Sequence, residues 1–179
     1  MTLLTLPDPS TEIGAAVEVM LAVCDEADAI SLASFRRNIR VEAKPDASFV
    51  TEADTAVERA VRERITSRFP DHGLVGEEYG TAASESGRRW IIDPIDGTHN
   101  YMRGVPVYAT LIALEIEGEL AVGAVSAPAL HRRWFSWDGG GAWAVDTVPG
   151  GWDRDSAMRL SVSEVDRLDE ASVVYSSYP

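Results

Sequence analysis

The apolar positions of this chain change period once, after about residue 70, and that change divides it into a helical and a strand-forming part. In the first part Ile13, Val17, Met20, Leu21 and Cys24 recur at helical spacing behind Pro7-Asp8-Pro9-Ser10-Thr11-Glu12. They predict a helix from there to about Phe35. A polar, extended stretch around Lys44-Pro45 leads to a second helix from Thr51 to about Phe69, carried by Val57, Val61 and Ile65 and stopped by Pro70. Beyond it short apolar runs predict strands: Leu74-Val75, Trp90–Ile92, Tyr108–Ile116, Leu120–Ser126, Arg133–Trp137 and Ala142–Val145. Glu117-Gly118-Glu119 reads as a hairpin turn and Gly139-Gly140-Gly141 as a reversal. Helices first and an antiparallel meander after them indicate an α+β fold. A last apolar run, Ala171-Ser172-Val173-Val174-Tyr175, reads as one more strand. Trp134, Phe135 and Trp137 read as core and edge packing rather than as a ligand platform.

The chemistry concentrates where one strand ends. Asp93-Pro94-Ile95-Asp96-Gly97-Thr98 follows the apolar run Trp90-Ile91-Ile92. Two carboxylates clamped by a proline-fixed bend can converge on a hard divalent cation such as Mg²⁺. Gly97 permits a sharp backbone turn, and amides presented in such a turn form an anion-binding concavity. Carboxylates for a metal beside a nest for an anion point to phosphate ester chemistry.

Two further acidic motifs lie upstream. Gly76-Glu77-Glu78 follows the short run Leu74-Val75, so Glu77 also stands at a strand end; alone, such a pair reads as solvated surface. Thr51 followed three residues later by Asp54 has the spacing of a capping box, so Asp54 taken alone is a helix cap.

The order Asp54, Glu77-Glu78, Asp93 to Thr98, with Lys44-Pro45-Asp46 and Val50-Thr51 as lead-in, resembles the metal-dependent, lithium-sensitive phosphomonoesterases typified by inositol monophosphatase. Within that superfamily Gly104–Leu114, Val125–Trp134 and Leu160-Ser161-Val162-Ser163 look most like histidinol-phosphatases of the actinobacterial type. The resemblance implies a layered α/β sandwich, with two N-terminal helices packed on a largely antiparallel sheet and the second layer truncated. It divides the chain into a metal- and phosphate-binding unit, 1–155, and the start of a second layer, 156–179.

The same resemblance assigns roles. Glu77, Asp93 and the backbone carbonyl of Ile95 would bind a first Mg²⁺; Asp93 would bridge to a second, held by Asp96. Two or three ions are implied, with Mn²⁺ as a substitute and Li⁺ as an inhibitor. In a two-metal site the ions stand roughly 3.5–4 Å apart and stabilise both entering and leaving oxygens. Asp93 and the amides of Gly97 and Thr98 would face the substrate phosphate. The Thr98 hydroxyl, paired with Asp54, would orient or help deprotonate the attacking water, while Glu78 would act behind the ligands. The substrate implied is a small phosphomonoester, histidinol phosphate first; inositol-1-phosphate, fructose-1,6-bisphosphate and a phosphoadenosine nucleotide are the alternatives. An inactive fragment that binds metal or associates with another chain is the reading of a different class.

The family supplies a further metal aspartate from a Trp-Asp motif at the start of a later helix. Trp152-Asp153 follows Pro149-Gly150-Gly151 and reads as part of a polar, turn-rich loop, so the chain is expected to lack that ligand and most of the wall around the alcohol.

Composition adds limits. The 179 residues suit one unit with a real core, and the net charge of −13 disfavours nucleic acid and anionic membranes as partners. A phosphate substrate then needs local cations. The start of the chain has no basic region, and no membrane span is evident, so a cytoplasmic enzyme, expected to be a homodimer, is the reading. Cys24 is the only cysteine and reads as a small buried apolar residue. His72 and His131 read as surface residues, and His99 as no ligand.

Overall fold

The computed structural model describes residues 3–45 and 49–172. Three helices are present: α1 (Glu12–Ser34), α2 (Glu52–Arg68) and the short α3 (Thr98–Met102). The strands are β1 (Val41–Ala43), β2 (Phe49–Thr51), β3 (Gly73–Gly76), β4 (Gly80–Ala82), β5 (Arg88–Asp96), β6 (Ala109–Ile116), β7 (Glu119–Ala127), β8 (Arg132–Trp137), β9 (Gly141–Val148) and β10 (Gly151–Leu160). The two long helices begin where their capping residues predict. Thr11 caps α1 by accepting from the Gly14 amide at 3.0 Å, and Thr51 opens α2 through a reciprocal capping box with Asp54.

Eight strands form one sheet in the order β10-β9-β8-β7-β6-β5-β3-β4, while β1 and β2 pair as a separate ribbon. The run from β5 to β10 is an antiparallel meander, as the short turns require. The exception decides the site. β3 folds back on β4 at the sheet edge and pairs parallel with β5, with Gly76 opposite Ile92.

Helices α1 and α2 cover one face of the sheet. Val17, Met20 and Val23 of α1 and Val57, Val61 and Ile65 of α2 meet Trp90, Leu114, Val122, Phe135 and Trp143 in a single core. Burying such side chains contributes about 1.5–3 kcal/mol each before entropy is counted. Through that core runs a buried polar tie. Arg133, fully buried, reaches across to Asp28 of α1 at 2.8 Å and to Ser126 at 3.0 Å. A second cluster of Ala53, Ile95, Tyr101 and Tyr108 sits under α3, where Tyr101 Oη donates to the Ser31 carbonyl at 2.7 Å.

Among the described residues no helix covers the opposite face of the sheet. Ile91, Leu111, Ala113, Val125, Trp134 and Leu160 line a broad apolar groove there, with Asp93 at one end and a volume of about 490 Å³.

Three features depart from the expectations. The ribbon β1–β2 and the edge strand β4 are three residues per strand, too short for an alternation to show, and only their pairing defines them. Trp152 and Asp153 do not lie in a loop: they belong to β10, opposite Thr147 and Asp146, and the Trp152 ring packs edge-on against Phe135 at 5.9 Å. That strand tolerates the consecutive polar run Asp153-Arg154-Asp155-Ser156 because it forms the outer edge of the sheet. His72 is not simply solvated, since its Nδ1 accepts from Trp90 Nε1 at 3.1 Å and its ring stacks on Phe69. The expected strand at 171–175 lies, from residue 173 on, outside the described residues.

Candidate metal and phosphate site

Parallel pairing of β3 with β5 brings the acidic motifs together. Gly76 lies beside Ile92, so the residues that follow, Glu77 and Asp93, leave neighbouring strands at the same end. A β-bulge then aligns the second aspartate. Asp93 is opposite Leu111 and Asp96 opposite Ala109, so three steps along β5 match two along β6. Without the extra residue, strand alternation would send Asp93 and Asp96 to opposite faces. With it they share one, because Leu111 and Ala109 do. Pro94 can occupy the bulge because it has no N–H to leave unpaired, and its carbonyl accepts from the buried Thr110 hydroxyl at 2.8 Å. Ile95 points into the cluster under α3 and anchors the turn.

Gly97 then reverses the chain at φ 86°, ψ 37° and caps α3. A Cβ there would stand 3.1 Å from the Val107 carbonyl, in a left-handed conformation that other residues adopt at a cost of about 1–2 kcal/mol. The Thr98 hydroxyl donates to the Ile95 carbonyl at 3.1 Å.

The electrostatics follow from this convergence. Burial first, then the negative charges of Glu77, Asp96 and Asp54, push the Asp93 carboxyl up to about 7. Asp93 Oδ1 is buried and has no hydrogen-bond partner among the described residues. Asp54, also buried, is raised by desolvation, against the hydrogen bonds of Thr51 that favour its ionised form; Glu77 adds to the rise. Among the described residues Lys44 brings positive charge to these acids, its Nζ 2.8 Å from both Glu77 Oε1 and Glu78 Oε1. Burial opposes the Lys44 charge, but its bonds to Glu77 and Glu78 hold the ammonium above its ordinary range.

The expected ligands are therefore neighbours, but not a preformed cage: among the described residues no three acidic, histidine or cysteine side chains converge closely enough to hold a metal ion. Glu77 stands between Asp93 and Lys44, close enough to Asp93 to raise its carboxyl and 2.8 Å from Lys44 Nζ. The residues nonetheless suit Mg²⁺, which takes oxygen donors only, and a buried carboxylate oxygen without a partner is such a donor. The expected Thr98–Asp54 pair is not formed here. Asp54 Oδ2 instead accepts from the Thr51 amide at 2.9 Å and from the Thr51 hydroxyl, because the capping box satisfies both locally. His99 lies edge-on to Phe49 at 5.0 Å.

Sequence reasoning missed Glu58 and Arg62. Glu58 is fully buried beside the apolar stripe of α2, one turn after Asp54, and holds the amides of Glu78 and Tyr79. Its only signal was a carboxylate at i+4 from Asp54, adjacent to Val57 and Val61. Arg133 was missed likewise, since a buried arginine inside a strand looks like any outward-facing one.

Residues 10–179 match the sequence profile of the Inositol monophosphatase family. The chain belongs to the inositol monophosphatase family. Among curated members of this family it is 48% identical over 158 residues to a histidinol-phosphatase of Mycobacterium tuberculosis, covering 88% of the chain and 58% of that protein. It is 47% identical over 160 residues to a histidinol-phosphatase of Streptomyces coelicolor, covering 87% and 58%. The fold is that of solved family members. The extragenic suppressor protein SuhB of Bartonella henselae superposes with a TM-score of 0.75 at 28% identity, over 86% of this chain and 57% of that one. The chain thus spans somewhat over half the length of the family members it matches.

Proposed function

We propose that this chain carries the metal- and phosphate-binding part of a Mg²⁺-dependent phosphomonoesterase whose substrate is histidinol phosphate. The observation that supports it most is Asp93: a largely buried carboxyl with Glu77 and Asp96 facing it, an oxygen without a partner, and the Gly97 turn four residues on. So much negative charge in one partly buried place is unfavourable unless a cation belongs there. The substrate follows from the two relatives named histidinol-phosphatases, which exceed 45% identity. An inositol-1-phosphate or other sugar or nucleotide phosphatase remains the alternative within the family. An inactive metal-binding chain that associates with another is the alternative outside it.

In this reading Glu77, Asp93, Asp96 and the Ile95 carbonyl hold two or three Mg²⁺, with Mn²⁺ able to substitute and Li⁺ inhibitory. Bound Mg²⁺ supplies positive charge for the phosphate oxygens and lowers the pKa of a coordinated water. The chain's own residues do the rest. Gly97 and Thr98 offer backbone amides to the phosphate, Asp54 takes up the proton of the attacking water, and the Thr98 hydroxyl orients that water by moving from Ile95 towards Asp54. The site is then the first of two layers. Residues 1–155 build it, and 156–179 lead towards the second layer, with the departure after the end of β10. A homodimer acting in the cytoplasm on a small phosphorylated substrate, without nucleic acid or membrane, completes the proposal; no described helix is long and apolar enough to cross a membrane.

The test is Mg²⁺ binding by calorimetry, paired with phosphate release from histidinol phosphate and from inositol-1-phosphate. Mg²⁺ binding with preference for histidinol phosphate supports the reading. Equal or inverted preference moves the chain to the family alternative, and binding without turnover favours the inactive one.

A further inference from the structure

We infer that Glu58 is a positioning residue for Glu77: its buried carboxylate clamps the turn after β3 against α2 and so sets where the Glu77 side chain meets Asp93. The inference rests on the reading of Glu77 and Asp93 as cation ligands.

Besides Glu58 and Arg62, the turn is held by side-chain bonds, Lys44 to Glu77 and Glu78 and Tyr79 Oη to the Thr55 carbonyl, and among the described residues only the Glu58 side chain accepts from its backbone amides. Gly76 pairs with Gly80 across only three intervening residues, and β4 is a three-residue edge strand exposed throughout. No core side chain of β4 fixes its height above the sheet. Glu58 does so from below. Its Oε2 accepts from the Glu78 amide at 2.7 Å and its Oε1 from the Tyr79 amide at 3.1 Å. Arg62 Nε, one turn along the helix, neutralises the carboxylate at 2.7 Å, and its Nη2 donates to the Gly80 carbonyl. Both flanks of the turn are thereby tied to one helix.

Gly76 gives a second, independent sign of the same arrangement. A Cβ at that position would overlap the Glu58 carboxylate and approach the Arg62 guanidinium, so the backbone and the buried acid have been brought together closer than any other residue allows. A buried carboxylate is costly unless its oxygens are fully paired, and here two amides and a guanidinium pair it. Glu58 also stands four residues after Asp54 on α2, so one rigid helix determines both the Asp54 carboxyl and the backbone that presents Glu77.

Groups that orient metal ligands from behind typically alter metal affinity 10- to 100-fold when removed. The experiment is a calorimetric Mg²⁺ titration of the 179-residue chain and of Glu58→Gln, beside thermal melting without added metal. Glu58→Gln is expected to melt cooperatively and to bind Mg²⁺ at least 10-fold more weakly. Arg62→Gln, at the solvent side of the clamp, keeps α2 intact if Glu58→Gln does not fold, and is expected to lose affinity severalfold. Wild-type Mg²⁺ affinity in a folded variant, whatever its melting temperature, overturns the inference and leaves Glu58 a structural support. Absence of Mg²⁺ binding by the unmodified chain overturns the ligand reading itself, and the inference with it.

Discussion

Asp93 and Asp96 face the same side of the sheet because β5 carries one extra residue between them. That bulge puts two carboxylates at an odd spacing on one face. In Asp93→Asn the carboxylate proposed to bridge two ions is lost while the bulge, held by Pro94 and Thr110, remains. Mg²⁺ binding should fall below detection and phosphate release with it, with cooperative melting kept. Near-wild-type affinity in the titration would falsify the assignment of Asp93.

The metal-free chain should lose stability as pH rises. The Asp93 carboxyl stands at about 7 against an ordinary 3.8, so between those values the folded chain holds a proton that the unfolded chain has released. Unfolding then releases a proton, and stability declines with pH through that window and levels off above it. Asp28, Asp54 and Glu78 are raised in the same direction, so the comparison with Asp93→Asn isolates this one group. Urea midpoints at pH 5 and pH 8 should differ more in the parent than in the variant. Mg²⁺, which binds the ionised form, should restore stability at pH 8.

The cap that Asp54 forms and the proton acceptor it is proposed to be separate by measurement. As a cap, Asp54→Asn should cost about 1 kcal/mol, since the amide oxygen still accepts from Thr51. As proton acceptor, the same change should depress kcat far more than melting temperature. Thr98→Ala removes only one hydroxyl bond to Ile95, about 1 kcal/mol, and should lower kcat more than it raises KM. If both variants change only stability, neither residue takes part in the reaction.

Arg133 ties β8 to α1 in the dry core. Replacing it with Met strands the Asp28 carboxyl, which burial already disfavours as an ion, and should destabilise by about 3–5 kcal/mol. Adding Asp28→Leu should recover a large part of that loss. Urea unfolding of the single and double variants measures both, and a loss below about 1 kcal/mol for Arg133→Met contradicts the network.

The sheet face that no described helix covers should drive self-association. Leu120 is 69% and Val125 37% exposed, beside Leu111 and Trp134, and a continuous apolar groove of this kind attracts a partner surface. Light scattering should give a mass above 19.4 kDa, and Leu120→Glu with Val125→Lys should return it to that value. A monomer from the outset would remove the basis for a dimer through this face.

Local sequence determined the elements whose signals are local. The periodic stripes of α1 and α2, their Thr11 and Thr51 caps, and the strands β6 to β8 appear within a residue or two of where pattern alone put them, while β5 and β9 run three or four residues past the expected ends. The acidic motifs were legible too, because Asp-Pro and Gly-Thr chemistry is compact along the chain. Only tertiary structure decided how those motifs meet. Parallel pairing set Glu77 beside Asp93, an edge position made β10 a strand although its residues are polar, and α2 buried Glu58 and β8 Arg133. Each depends on which strand lies next to which. Pairing partners are chosen by long-range contacts, and a carboxylate or guanidinium is buried only where distant backbone amides or opposite charges arrive to satisfy it.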